Sequence, residues 1–166
     1  MTDQFANEEN WKAHYQTTGE EIWEQTEGKI THFVAGCGTS GTIVGVARKL
    51  REHNHRIKIV GVQPSSQTHK QQGLLNPKEF RPELFNPSEL DEIITVKDED
   101  AYKVARNLFV REGLFVGISS GSAMHAAILK AKQIDEGLIV ALFADNGFKY
   151  LSTNLFTPTK CARQDT

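Results

Sequence analysis

The chain has 166 residues, of which 39% are apolar and 24% are charged, and its formal net charge at pH 7 is -2. This composition is typical of one globular domain, which at this length buries roughly 70% of its unfolded surface and needs no disulfide or metal to fold. The balanced charge, and apolar runs far shorter than the ~20 residues of a membrane span, argue against nucleic-acid binding and membrane insertion, so we expect a cytoplasmic protein.

The first predicted elements are a short helix and a β-α-β unit. Thr18 and Glu21 have the spacing of a capping box, in which the Thr18 hydroxyl accepts from the Glu21 amide, and predict a helix from Gly19 to Gln25. Hydrophobic periodicity and glycine content then predict a strand, a loop, a helix and a second strand at residues 30–35, 36–41, 42–50 and 57–62. This order predicts two parallel strands joined by a crossover helix.

The segment from Gln63 to Leu90 differs from its surroundings because it is polar and rich in proline. Its prolines are Pro64, Pro77, Pro82 and Pro87. Proline interrupts both helices and sheets, so this segment is expected to be a long surface excursion that forms a lid or contacts a partner.

The remaining residues repeat the alternation of strands and helices. Strands are predicted at residues 93–96, 114–118 and 138–143. Helices are predicted at residues 101–112, ended by Gly113, at residues 123–131, and briefly near Tyr150. Residues 157–166 are polar and are expected to form a C-terminal tail.

Alternating strands and helices predict an α/β fold with three layers, in which helices cover both faces of a parallel sheet. Ligands of such folds bind beyond the carboxyl ends of the strands. Three predicted loops lie at such ends, at residues 36–41, 119–122 and 145–147.

The glycines of the first loop match the dinucleotide-binding pattern Gly36-x-Gly38-x-x-Gly41. That pattern also requires an acidic residue at the end of the next strand, where this chain has Gln63 and Pro64. A Walker loop is excluded because no Gly-Lys-Ser/Thr follows. An NAD(P) site and a purely structural turn both remain open.

Three hydroxyl side chains lie in or beside the glycine loop, at Thr39, Ser40 and Thr42. Together with the free amides at the start of a helix, neutral hydroxyl donors favour an anion. A terminal phosphate suits this donor set better than the pyrophosphate of a dinucleotide.

The loop GCGTSGT at residues 36–42 resembles the phosphate-binding loop G-x-G-T-G-G-T of the cysteine synthase and cystathionine β-synthase family, whose enzymes depend on pyridoxal 5′-phosphate (PLP). Further segments similar to the family are HYQTTG, EGLFVGISSG and KYLST, at residues 14–19, 112–121 and 149–153. They occur in the family's order and spacing. The resemblance covers residues 4–156 and implies most of the larger domain of a fold-type-II PLP enzyme, similar to the β subunit of tryptophan synthase.

The resemblance implies a domain at residues 1–156, followed by the tail at 157–166, and a role for six residues. The implied ligands of the PLP phosphate are Gly38, Thr39, Ser40, Gly41 and Thr42. Ser119 is implied to face the pyridine nitrogen, although a serine there could equally cap the following helix. A neutral hydroxyl does not favour protonation of that nitrogen, which suits β-replacement on an O-activated L-serine to give L-cysteine.

The chain departs from the family pattern in two ways. Ser40 stands where the family usually has glycine. The family's Schiff-base lysine and its substrate loop lie N-terminal to the matched region, so the catalytic residues are unassigned and the chain alone is expected to be inactive. Lys149 aligns with a basic position of the family, not with that lysine.

No other chemistry is predicted from the cysteines and histidines. Cys37 and Cys161 lie outside any C-x-x-C pattern and are expected to be structural, and the histidines have no metal-ligand spacing. For the full-length protein the resemblance implies a homodimer that acts on a small amino-acid substrate, or assembly with a separate N-terminal half. The alternatives are a non-catalytic phosphate-binding or regulatory protein of the same fold and, less strongly, an NAD(P)-binding domain.

Overall fold

The computed structural model describes residues 3–76 and 82–156, which build a four-stranded parallel sheet with helices on both faces. The strands are β1 (His32–Gly36), β2 (Lys58–Pro64), β3 (Glu92–Val96) and β4 (Ile139–Ala141). The helices are α1 (Glu9–Gln16), α2 (Thr18–Gln25), α3 (Gly41–His53), α4 (Asp98–Glu112) and α5 (Ile118–Ala131), with 3₁₀ turns at Pro87–Glu89 and Gly147–Tyr150. The predicted tail, residues 157–166, lies outside the described residues.

The strands lie in the order β3-β2-β1-β4, and every pair is parallel. In the register, Phe33 of β1 lies opposite Ile59 of β2 and Val140 of β4. β1 therefore lies between β2, which follows it in sequence, and β4, which is the last of the described strands. A crevice opens between the carboxyl ends of two strands at such a change in strand order.

Alternating side chains of β1 and β2 belong to two separate hydrophobic clusters, one on each face of the sheet. Phe33, Ala35 and Ile59 pack on one face, where the apolar side of α3 covers them together with α1 and α2. Val34, Val60 and Val62 pack on the other face, against α4 and α5. Because both faces are buried, the strands are apolar on both sides, as the predicted three-layer fold requires.

The predicted capping box at Thr18 is wrong. The helix α2 begins at Thr18, its N-cap position is Thr17, and no side chain caps it. The Thr18 hydroxyl instead lies 3.0 Å from Nδ1 of His14, on the preceding helix α1. A contact between two helices has replaced the local bond that the sequence pattern favoured.

The predicted strand at residues 114–118 is also absent from the described structure. Val116 forms a single antiparallel bridge with Asn146, and α5 already begins at Ile118 with Gly117 as its N-cap residue. Residues 119–122, expected to form a loop, are therefore in the first turns of a helix. The segment cannot join the parallel sheet because its backbone bonds cross to the loop after β4, with Gly117 N donating to Asp145 O and Gly147 N to Phe115 O.

The described part of the proline-rich segment has little regular structure, as predicted, but it is not only a surface excursion. Gln71 is fully buried, and its Nε2 donates to the carbonyl of Val96 at 2.9 Å. Its Oε1 accepts from the Ser122 hydroxyl at 2.7 Å. These bonds attach the segment to β3 and α5, and Leu74 is buried beside it.

The C-terminus of α4 follows its sequence signal. Gly113 has φ 70°, a left-handed conformation that glycine adopts without steric cost, and its amide donates to carbonyls of the last turn. Among the residues that the structure describes, no helix has both the length and the apolar character needed to cross a membrane.

The contact of α1 with α3 depends on Gly45, and we predict that Gly45→Ala destabilises the fold. A Cβ at residue 45 would lie 2.2 Å from the carbonyl oxygen of Trp11, which is backbone and cannot rotate away. Overpacking of this kind should lower the free energy of unfolding by about 1–3 kcal/mol, despite the better helix propensity of alanine. Urea unfolding gives the measurement. Asn107→Ala on the exposed side of α4 is the control and should stay within about 0.5 kcal/mol of the wild type.

Candidate functional site

Four separate parts of the chain meet at the carboxyl ends of β1 and β4. They enclose a cavity of about 270 Å³. Its lining includes Gly38, Thr39, Ser40 and Thr42 from the loop after β1, Ser119 from α5, Gln72 to Leu74 from the proline-rich segment, and Asp145 and Lys149 from the loop after β4. Of the six residues singled out from the sequence, Gly41 alone is not in this lining.

The first turn of α3 presents free amide groups beside the cavity. The first amide of this helix with a backbone acceptor is that of Val44, which donates to Ser40 O at 3.0 Å. The described residues provide no such acceptor for the amides of Gly41, Thr42 and Ile43, as is general at helix N-termini. Their partial positive charge makes this end of α3 suited to an anion.

Ser40 occupies the N-cap position of α3 with φ 73° and ψ 0°. This left-handed conformation is unfavourable for a residue with a Cβ, which explains why a glycine is usual there in the similar family loop. The Ser40 hydroxyl offers little in return, because its contact with the Gly38 carbonyl is long, at 3.4 Å. The loop keeps its shape although one residue in it is strained.

Two glycines of the loop leave no space for a side chain. A Cβ on Gly38 would lie 2.3 Å from the carbonyl oxygen of Gly73, and the amide of Leu75 donates to the Cys37 carbonyl at 2.7 Å. A Cβ on Gly41 would lie 2.0 Å from Asn10 Oδ1. Gly41 is thus buried under α1, and it shapes the loop from behind the cavity.

Ser119 lies in the first turn of α5, with 8% of its surface exposed. It does not cap the helix, since Gly117 holds that position. No hydrogen bond of its hydroxyl is found within the described residues, so the group is free to bond a ligand in the cavity. The backbone bond from Gly117 to Asp145 brings this helix end next to the loop after β4.

The loop after β4 brings an acid, a cation and a phenol together. Asp145 Oδ2 accepts from the Tyr150 hydroxyl at 2.8 Å and from Lys149 Nζ at 3.3 Å. The pKa of Tyr150 is raised mainly by burial and also by its hydrogen bond to Asp145. Tyr150 therefore stays a neutral donor at physiological pH. Asp145 Oδ1 is buried without a partner in the described structure.

Sequence reasoning placed residues 145–147 in a ligand-binding loop but gave Asp145 no role, and it did not place Lys149 or residues 72–74 at the site. The position of Asp145 after an apolar strand was a usable signal, because it marked a loop at the sheet edge. Lys149 gave a weaker signal for the site, because the family motif marks that position as basic but assigns it no role. Residues 72–74 carry no local signal of the site, since the bonds of Gln71 and Leu75 decide where they lie.

The side chains that a dinucleotide site or a nucleophilic cysteine would require are buried within the fold. Gln63, which would have to bind a nucleotide ribose, is buried and donates to Thr95 Oγ1 at 2.9 Å. Cys37 is buried as expected, and burial raises the pKa of its thiol to about 12, so that it is not a nucleophile at neutral pH. Within residues 3–76 and 82–156, no group of three or more His, Cys, Asp or Glu is placed to hold a metal ion.

We predict that Ser40→Gly stabilises the chain. The left-handed conformation costs a non-glycine residue about 1–2 kcal/mol. Glycine removes this strain but adds about 0.4–1 kcal/mol of unfolded-state entropy, so a net gain of about 0–1.6 kcal/mol is expected in the free energy of unfolding. Denaturant unfolding measures it. Ser40→Ala is the matched control; an equal gain with alanine would show that the hydroxyl, not the backbone, is the source.

Several known proteins are similar to this chain in sequence. The model of the family described as pyridoxal-phosphate dependent enzyme matches residues 1–145. A cysteine synthase of Aquifex aeolicus is 47% identical over 160 residues, covering 93% of this chain and 49% of that protein. A cysteine synthase B of Escherichia coli is 46% identical over 156 residues, covering 94% and 52%.

The fold is shared with a solved structure of similar sequence. The crystal structure of O-acetyl serine sulfhydrylase isoform 3 from Entamoeba histolytica superimposes with a TM-score of 0.90 at 32% identity, covering 95% of this chain and 50% of that one. The chain thus spans about half the length of the relatives it matches. By its family match, its relatives and its fold, the chain belongs to the family of pyridoxal-phosphate dependent enzymes, the cysteine synthases among them.

Proposed function

We propose that this chain forms the phosphate-binding and ring-binding wall of an enzyme that exchanges the activated β-oxygen substituent of an O-activated L-serine for sulfide, which gives L-cysteine. The observation that carries the proposal is the cavity in which the loop after β1, Ser119 and the loop after β4 meet. The names of the relatives support the sulfur chemistry. The neutral Ser119 hydroxyl supports a β-replacement.

The loop from Gly38 to Thr42 binds the phosphate in this proposal. Its open amides and the hydroxyls of Thr39, Ser40 and Thr42 are donors, which a phosphate dianion accepts through its oxygens. Only glycine fits at residue 38 of this loop, because a Cβ there would lie 2.3 Å from the carbonyl oxygen of Gly73. The observed donor set therefore fits the cofactor of the family.

Ser119 contacts the pyridine nitrogen in this proposal. A serine hydroxyl can donate to an unprotonated ring nitrogen, whereas an aspartate would favour the protonated ring. Bound PLP supplies an electron sink for negative charge at the α-carbon of the amino acid, and Ser119 keeps that sink moderate. Its position on a helix, rather than a loop, holds the hydroxyl in one direction.

Lys149 binds anionic groups at the cavity in this proposal and does not form the covalent link to the cofactor. It is the one lysine of the described residues that lines the cavity. Its Nζ is paired with Asp145 and lies 5.8 Å from the centre of the Tyr150 ring. An ammonium group held in this way is a poor nucleophile. The resemblance implies that the anchoring lysine belongs to the part of the relatives that this chain does not match.

The proposal extends to the whole protein as a homodimer in the cytoplasm that acts on a small amino acid. Residues 1–156 would be its PLP-binding part, and residues 157–166 a polar tail. The family match over residues 1–145 supports the PLP-binding part of this proposal.

We expect the chain to bind pyridoxine 5′-phosphate far more tightly than pyridoxine. Each hydrogen bond to a charged group contributes about 1.5–3 kcal/mol, so the phosphate should improve the affinity at least ~100-fold. Isothermal titration calorimetry gives both constants, and the absence of an aldehyde in either ligand prevents reaction with lysines. Gly38→Ala should reduce the difference, because its methyl group displaces the loop. Equal affinity for the two ligands would contradict the proposal.

We expect Ser119→Ala to bind pyridoxine 5′-phosphate between about 2-fold and 10-fold more weakly than the wild type, since one neutral hydrogen bond is lost. Ser120→Ala is the matched control. The Ser120 hydroxyl is buried without a partner and does not line the cavity, so its removal should leave binding unchanged. Calorimetric titration with thermal melting separates binding from folding. Unfolding of the Ser119 variant would mean that this serine serves the fold.

A further inference from the structure

Helix α1 reaches the phosphate loop with two polar side chains. Asn10 Nδ2 lies 3.0 Å from Thr39 Oγ1, and His14 Nε2 lies 3.1 Å from Thr42 Oγ1. Both contacts approach the hydroxyl oxygens of threonines that line the cavity. A hydroxyl has a single hydrogen, so the partner of its oxygen decides where that hydrogen is available.

The direction of the Asn10 contact is determined by a second bond. The same Nδ2 lies 2.7 Å from the carbonyl oxygen of Gln4, which can only accept. The amide nitrogen therefore faces both groups, and Asn10 donates to Thr39. The Thr39 hydrogen remains available for a ligand.

The direction of the His14 contact depends on which ring nitrogen carries the hydrogen. Burial lowers the pKa of His14, so the ring is neutral at pH 7 and has one N–H. If Nε2 carries the hydrogen, Thr42 accepts it and can donate its own to an anion. If Nδ1 carries the hydrogen, Thr42 must donate to Nε2 and has none left for the anion.

The Thr18 hydroxyl provides the bond that the first arrangement needs. It lies 3.0 Å from Nδ1 of His14 and can donate to it. All hydrogens then point one way, from Thr18 to His14, from His14 to Thr42, and from Thr42 into the cavity. A phosphate that accepts the Thr42 hydrogen at the end of this row of hydrogen bonds favours this arrangement over its reverse.

We propose that Asn10 and His14 are positioning residues, which donate to Thr39 and Thr42 and so turn both threonine hydrogens toward the phosphate of the cofactor. His14 acts as the Nε2–H tautomer, held by Thr18. The inference rests on the proposed role of the loop in phosphate binding. It also gives a function to the close packing of α1 on Gly41 and Gly45, which brings both side chains within bonding distance.

Nitrogen-15 NMR of the histidine rings in the full chain reads the tautomer directly. With pyridoxine 5′-phosphate bound at pH 7.5, we expect His14 to show a protonated Nε2 and an unprotonated Nδ1. A protonated Nδ1, in either the neutral or the charged ring, overturns the proposal. A His14→Gln variant assigns the resonances.

A double-mutant cycle tests whether His14 acts through Thr42. His14→Phe and Thr42→Val should each weaken the binding of pyridoxine 5′-phosphate about tenfold, because each removes one bond that serves a charged group. The double variant should be no weaker than about tenfold, since both changes remove the same interaction. Additive losses of about a hundredfold, or an unaffected His14→Phe variant, overturn the proposal. Failure of the wild-type chain to bind the phosphate ligand would instead overturn the proposed function.

Two neighbouring threonines provide a milder comparison in case the histidine variant does not fold. Thr18→Val removes the bond to Nδ1 and should weaken binding several-fold, by about 0.5–1.5 kcal/mol in interaction free energy. Thr17→Val removes a hydroxyl that donates to the Ala13 carbonyl at 2.8 Å and reaches the Thr18 hydroxyl only at 3.5 Å, so it should change binding much less. Equal effects of the two substitutions on binding would show that Thr18 only supports the helix.

Discussion

At the N-terminus of α3, the amides of Gly41, Thr42 and Ile43 point out of the helix with no backbone acceptor among the described residues. Buried donors without partners are costly, and proteins keep them where a ligand or water completes the bonds. The surrounding structure does not supply a competing acceptor. It adds the hydroxyls of Thr39 and Thr42 instead, and among the described residues that line the cavity the one carboxylate is Asp145, whose Oδ2 is paired with Lys149 and Tyr150.

The position of this helix end follows from the sheet. β1 lies between β2 and β4, and the chain leaves β1 toward α3 on one face, while α5 covers the other face. The antiparallel bridge between Val116 and Asn146 then fastens the start of α5 to the loop after β4. This places Ser119 in the same cavity as the loop after β1, which is the arrangement on which the proposed function rests.

Helix α1 shows how a polar segment becomes structural. It buries none of its residues fully, and its sequence carries little helical signal of its own. It is held by close contact with α3, where Gly45 lets the backbones approach. The same contact brings Asn10 and His14 to the loop, so that packing and hydrogen-bond geometry are consequences of one interaction.

The sequence by itself determined the elements whose signals are local. The strand, glycine loop and helix from His32 to His53, the strands β2, β3 and β4 and the helix stop at Gly113 were predicted because periodicity and backbone preference act over a few residues. The loop pattern and its companions also led to the correct family. The roles of the individual site residues remain proposals.

Only the tertiary structure decided the remaining features. Thr18 bonds His14 rather than capping its helix, α5 starts at Ile118 rather than after a strand, and residues 72–74 line the cavity. The last two depend on partners far along the chain, Asp145 beside Gly117 and Val96 and Ser122 around Gln71, whereas Thr18 bonds His14 only four residues away, across the break between α1 and α2. A contact between distant residues forms only when the sheet has assembled, and no pattern within a short segment records it.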